Sequence, residues 1–104
     1  MTDSWFEHLS ATLASAGQAA YIWSPATDGF SWAGDVAGLF GAQGPQGSAG
    51  LHHLINPQYL PRRITALHES LKSGASLSVT YKLRRADGHQ IDIEESAQPH
   101  TDAD

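Results

Sequence analysis

The chain has 104 residues, enough for one small domain with one core. Hydrophobic residues make up 40% and charged residues 16%, a globular balance, and the net charge of -5 argues against a nucleic-acid binder, which needs a basic face. The absence of cysteine excludes disulfides, thiolate metal sites, a thiol nucleophile and a thiol-linked chromophore.

No apolar run approaches the ~20 residues that span a bilayer. The first residues, Met1-Thr2-Asp3-Ser4, lack the positive stretch of a signal peptide. A cytoplasmic protein with no membrane or nucleic-acid partner is therefore expected.

Ser4-Trp5-Phe6-Glu7 reads as a capping box, with Ser4 and Glu7 each satisfying the other's backbone N–H. Trp5, Phe6, Leu9, Leu13 and Ala16 then recur at helical spacing, and Gly17 suits the position just past a helix. Residues 1–17 are thus an amphipathic helix, too short to be stable alone, so its apolar face must dock. Two partners fit: the domain's own sheet, or a second copy of the helix.

Residues 19–23 and 30–33 read as a strand pair joined by turn chemistry at Ser24-Pro25-Ala26-Thr27-Asp28-Gly29. A helical turn or two follows over 34–40, closed by Gly41. Residues 41–50 carry glycine at every third position; three triplets cannot hold a triple helix, so a flexible, mobile loop is expected. Leu51 to Ile55 suits a short helix that Asn56-Pro57 interrupts, and residues 59–73 a longer one, with Pro61 in its first turn and Gly74 at its end. Leu60, Ile64, Leu67 and Leu71 form its expected buried stripe; Arg62, Arg63, His68, Glu69 and Lys72 cover the other faces.

The last stretch is a hairpin. Leu77, Val79, Tyr81 and Leu83 alternate with polar residues, as do Ile91 and Ile93. A two-residue loop would set Leu83 opposite Asp92 and mix the faces. A three-residue loop, Ala86-Asp87-Gly88, sets Leu83 opposite Ile91, Tyr81 opposite Ile93 and Lys82 opposite Asp92, with Gly88 at the left-handed position.

Three segments in this order carry a family resemblance. Tyr21-Ile22-Trp23-Ser24 turns through Thr27-Asp28-Gly29 into Phe30-Ser31-Trp32 and ends at Leu39-Phe40-Gly41. Leu54-Ile55-Asn56-Pro57 precedes the longer helix, and Tyr81-Lys82-Leu83-Arg84-Arg85-Ala86-Asp87-Gly88 forms the hairpin. Over about residues 19–100 the chain resembles the PAS-3 subfamily of PAS domains. The resemblance implies an α+β fold, an antiparallel sheet with short helices on one face, residues 18–104 forming the core behind the helix of 1–17. Two departures stand out. Asn56-Pro57-Gln58-Tyr59 lacks the acidic residues of the family's segment. The family's final strand, which lies centrally in the sheet, is not found before Asp104; a chain cut before it, a strand supplied by a neighbouring chain and a rearranged sheet all remain open.

The resemblance also implies a sensory module of a bacterial signalling protein that relays a signal to an output domain for cyclic-di-GMP synthesis or hydrolysis, or to a histidine kinase, or acts on another regulatory protein. Homodimerisation through Trp5, Phe6, Leu9 and Leu13 is the expected mechanism; a small-molecule sensor is the alternative, its pocket lined by Trp32, Phe40, Leu54, Ile64, Leu67, Val79, Tyr81 and Ile93. No cofactor is expected. The flavin adduct needs a cysteine, and the family's haem histidine falls at Ile64, with His68 a turn beyond. Adjacent His52 and His53 diverge by about 100° on a helix and cannot share a metal. Asp92, Glu94 and Glu95 read as a solvated strand face rather than an acid–base pair. No catalytic residue is found, so the chain is not expected to be an enzyme.

Overall fold

The computed structural model describes residues 2–100, with side chains from His8 onward. The element order is α1 (Thr2–Ser15), β1 (Ala19–Ser24), β2 (Gly29–Gly34), α2 (Val36–Phe40), α3 (Ser48–Leu54), α4 (Leu60–Ser73), β3 (Leu77–Arg84) and β4 (Gln90–Ala97). This is a small α+β protein whose strands are hydrogen-bonded as two antiparallel pairs, β1–β2 and β3–β4. Among the described residues no helix is long and apolar enough to cross a membrane.

The chain divides into two compact units: one runs to Leu54 and takes in the hairpin loop Arg84–His89, the other comprises Ile55–Leu83 and the residues from Gln90 on. In the first, α1 ends as its sequence dictates. Gly17 adopts φ 70°, and the Gly17 and Gln18 N–H groups donate to the Ala14 and Leu13 carbonyls at 3.0 and 2.9 Å, which satisfies the last turn. The Ser4–Glu7 capping box falls on side chains outside the described residues. β1 and β2 pair with Tyr21 opposite Trp32 and Trp23 opposite Phe30, so four aromatic rings share one face. Phe30, Ala33, Phe40 and Leu51 are the buried apolar residues of this unit.

Residues 41–50 are not the free loop that their glycines predict. Gly44 and Pro45 are buried, and α3 begins at Ser48, three residues ahead of its apolar start at Leu51. The reason is a distant cap: the Asp28 carboxylate in the β1–β2 turn accepts the Ser48 backbone N–H at 3.1 and 3.2 Å, standing in for the side chain that normally closes a helix N-terminus.

In the second unit, Ile55 leaves α3 to form a single antiparallel bridge with Leu83, and the Asn56 N–H donates to the Lys82 carbonyl at 2.9 Å. Asn56 also accepts the Gln58 N–H through its side chain at 2.9 Å, a polar turn that leads into α4. β3 alternates buried and exposed residues as expected, with Leu77, Val79, Tyr81 and Leu83 inside. Lys82 Nζ lies 2.9 Å from Asp92, the cross-strand pair that the three-residue loop requires. Within the hairpin loop, which belongs to the first unit, Arg85 N–H donates to the His89 carbonyl at 2.8 Å and Gly88 takes φ 93°.

α4 is rotated from its expected face. Leu60, Ile64 and Leu67 are only half-buried and Leu71 is 48% exposed, while Arg63 and Ser70 are buried. Arg63 is drawn inward by a carboxylate on β4; Ser70 is drawn inward by donating to the Ala75 carbonyl just past the helix.

Candidate functional site

Two local arrangements hold the chemistry, one in each unit. In the first, Tyr21 and Phe30 meet edge-on at 5.2 Å, Phe30 stacks on Trp32 at 5.1 Å, and Trp32 meets Phe40 edge-on at 5.1 Å. Such contacts add to burial because ring edges are positive and ring faces negative. The half-buried indole of Trp32 finds an acceptor in the strap: its Nε1–H donates to the Pro45 carbonyl at 2.8 Å. Gly44 lies directly on that ring, where a Cβ would stand 2.8 Å from Trp32 Nε1. Residues 44–48 therefore form a strap across the aromatic row. The Phe30 N–H donates to the Gln46 carbonyl at 3.1 Å and ties the strap to the edge of β2.

The far end of the strap is held by Asp28, a non-glycine residue at φ 55°. Its carboxylate accepts Trp23 Nε1–H at 2.8 Å and the Ser48 hydroxyl at 2.6 Å, in addition to the Ser48 N–H. These donors, the Ser48 hydroxyl foremost, then the Trp23 indole and the Ser48 amide, hold the Asp28 carboxyl below its ordinary value, with a smaller contribution from the charge of His52.

The second arrangement is a buried charged cluster. Arg63, 2% exposed, grips Glu95, 7% exposed, through Nε to Oε1 at 3.2 Å and Nη2 to Oε2 at 3.0 Å. Tyr81 donates its hydroxyl to Glu95 Oε1 at 2.9 Å. The planar guanidinium matches the carboxylate in the two-pronged geometry that suits a desolvated pair. Both readings of these residues as solvated are thereby corrected. Glu95 sits on the same strand face as Ile91 and Ile93, so strand alternation turns it inward, and Arg63 follows to neutralise it.

On the same unit an open groove of about 390 Å³ is lined by Tyr59, Thr80, Tyr81, Lys82, Asp92, Ile93 and Glu94. Arg62 stacks over the Tyr59 ring at 5.3 Å and donates to the Thr80 carbonyl at 3.3 Å, which covers part of the outer edge of β3. Asp92 raises the Lys82 ammonium above its ordinary value, chiefly by accepting its hydrogen bond.

Of the residues expected to line a pocket, Trp32 and Phe40 touch in the first unit, where half-buried Leu54 ends α3. In the second unit Tyr81 and Ile93 border the groove, Val79 is core, and Ile64 and Leu67 are half-buried on α4. Of the residues expected at a dimer interface, the side chains of Trp5 and Phe6 lie outside the described residues. Leu13 is half-buried, its Cβ 2.9 Å from where a Cβ on Gly34 would stand, and the Ser10 hydroxyl accepts the Gly34 N–H at 2.9 Å. α1 thus docks on β2 through Ser10 and Leu13, while Leu9 is 38% exposed. Three residues that matter were missed by sequence reasoning. Glu95 was legible in the strand alternation; Arg63 and Asp28 act through partners 32 and 20 residues away, and no local pattern marks them.

His68 and His53 are exposed, and His52 is half-buried. Among the described residues no three His, Asp or Glu side chains converge in a way that would hold a metal ion. Compared with known families, residues 31–104 match the PAS fold, PAS-3. No curated protein and no solved structure matches the chain.

Proposed function

The chain belongs to the PAS fold family, and from that premise we propose that it is a dimerising signal-relay module without catalytic activity or a resident cofactor of its own. PAS domains serve as sensory and regulatory modules, and the chain has that general role. In the finer reading, two copies associate through the exposed side of α1 and the exposed Ile22 of β1, and the association sets the spacing of attached output domains. An output domain for cyclic-di-GMP synthesis or hydrolysis, or a histidine kinase, and a bacterial, cytoplasmic setting complete the proposal.

The observation that supports it is a pair of exposed large apolar residues in the first unit. Ile22, in the middle of β1, is 76% exposed opposite Ser31, and Leu9 is exposed on α1. An isoleucine so placed on a strand loses by staying in water, at roughly 1.5–3 kcal/mol for a fully buried equivalent. Sedimentation equilibrium tests the reading. The wild-type chain is expected to dimerise, and Leu9→Asp and Ile22→Asp to give monomers of unchanged circular dichroism. Dimers that survive both substitutions would refute this surface.

A second reading, a small-molecule sensor, draws on the aromatic row and on the open groove beside Tyr59. It requires ligand-dependent melting, about 2.7 kcal/mol of added stability at a hundred times Kd.

A further inference from the structure

The strap over the aromatic row is fastened at two points of opposite character. At Gly44–Pro45 the fastening is sheltered: both residues are buried, half-buried Trp32 donates into the Pro45 carbonyl, and Gly44 rests on the indole ring. At Gly47–Ser48 it is open: Asp28 is exposed, and the hydrogen bonds it accepts from Ser48 and Trp23 lie at the surface. Water competes more readily for the exposed acceptor than for the sheltered one, so breaking the sheltered point costs more than breaking the open one. Between the two stands a single strap–strand bond, from Phe30 N–H to the Gln46 carbonyl.

We propose that residues 44–48 are a hinged lid over the Phe30 edge of β2, with Gly44–Pro45, seated on Trp32, as hinge and Asp28 as latch. The lid opens first at the Ser48 end, freeing the first turn of α3 and the Phe30 edge of β2 while the Trp32–Pro45 contact stays closed. It is a conformational device of the first unit alone, and it operates in the same way whether the domain relays by dimerisation or by ligand capture. Asp28 is a positioning residue here: it acts on the strap through Ser48 and touches no ligand.

Amide exchange followed by NMR on the whole chain distinguishes this order. In the wild type the Ser48 amide is expected to exchange faster than the Trp32 indole N–H. Asp28→Gly, which keeps the left-handed backbone and removes every acceptor, is expected to speed Ser48 exchange about tenfold and leave the Trp32 indole unchanged. If that variant does not fold, Asp28→Asn also suits the backbone and keeps one acceptor oxygen; the same order with a smaller increase is then expected. Equal acceleration at Ser48 and Trp32 would show that the strap melts as one piece and would overturn the hinge. No acceleration at either would overturn the latch.

Discussion

Glu95 is the residue on which the second unit turns. A carboxylate carried inward by strand alternation must be neutralised, and Arg63 does so in a two-pronged grip with Tyr81 donating beside it. Desolvating both charges offsets most of their attraction, so the pair costs most when it is halved. Arg63→Met or Glu95→Leu alone is expected to destabilise by about 3–5 kcal/mol, and the double variant to recover most of that loss. Urea denaturation of the three variants measures it. Single losses under about 1 kcal/mol would mean that the pair is wetter than its burial implies.

At the scale of the element, the Asp28 turn decides where α3 begins. Its carboxyl titrates below the ordinary value because Ser48 and Trp23 donate to the charged form. A group whose folded pKa is lowered stabilises the protein above its unfolded value and loses that contribution as pH falls through the folded one. The stability difference between wild type and Asp28→Asn is therefore expected to be full above pH ~4 and to vanish on further acidification; denaturant midpoints collected across that range check it. A difference that persisted at pH 2 would remove the carboxylate from the explanation. The elements differ in how far the sequence reveals them. The strand pairs, the Gly17 and Gly88 turns and the buried face of β3 follow from periodicity and turn chemistry within a few residues. The early start of α3, the fixed strap and the rotation of α4 do not. The start of α3 depends on Asp28, 20 residues from Ser48, the strap on Asp28 and on Trp32, 13 residues from Pro45, and the rotation follows Arg63 to a carboxylate 32 residues on, so only tertiary structure reveals them. The apolar spacing of Leu60, Ile64, Leu67 and Leu71 named a face that the buried Arg63 displaced.

For the whole molecule, the PAS assignment covers most of the chain, and both units contribute buried apolar residues. Of the expected pocket lining, Trp32 meets Phe40 in one unit, and Tyr81 and Ile93 border one groove in the other. The relay reading rests on surface rather than on pocket: Leu9 stands exposed on a helix already docked through Ser10 and Leu13, and Ile22 stands exposed on β1. Its most direct test is the native mass of the protein as purified. Two 11.1 kDa chains with no added mass are expected. A single chain carrying a reproducible extra mass would contradict the dimerising relay and identify the domain as a sensor, with that mass giving its ligand.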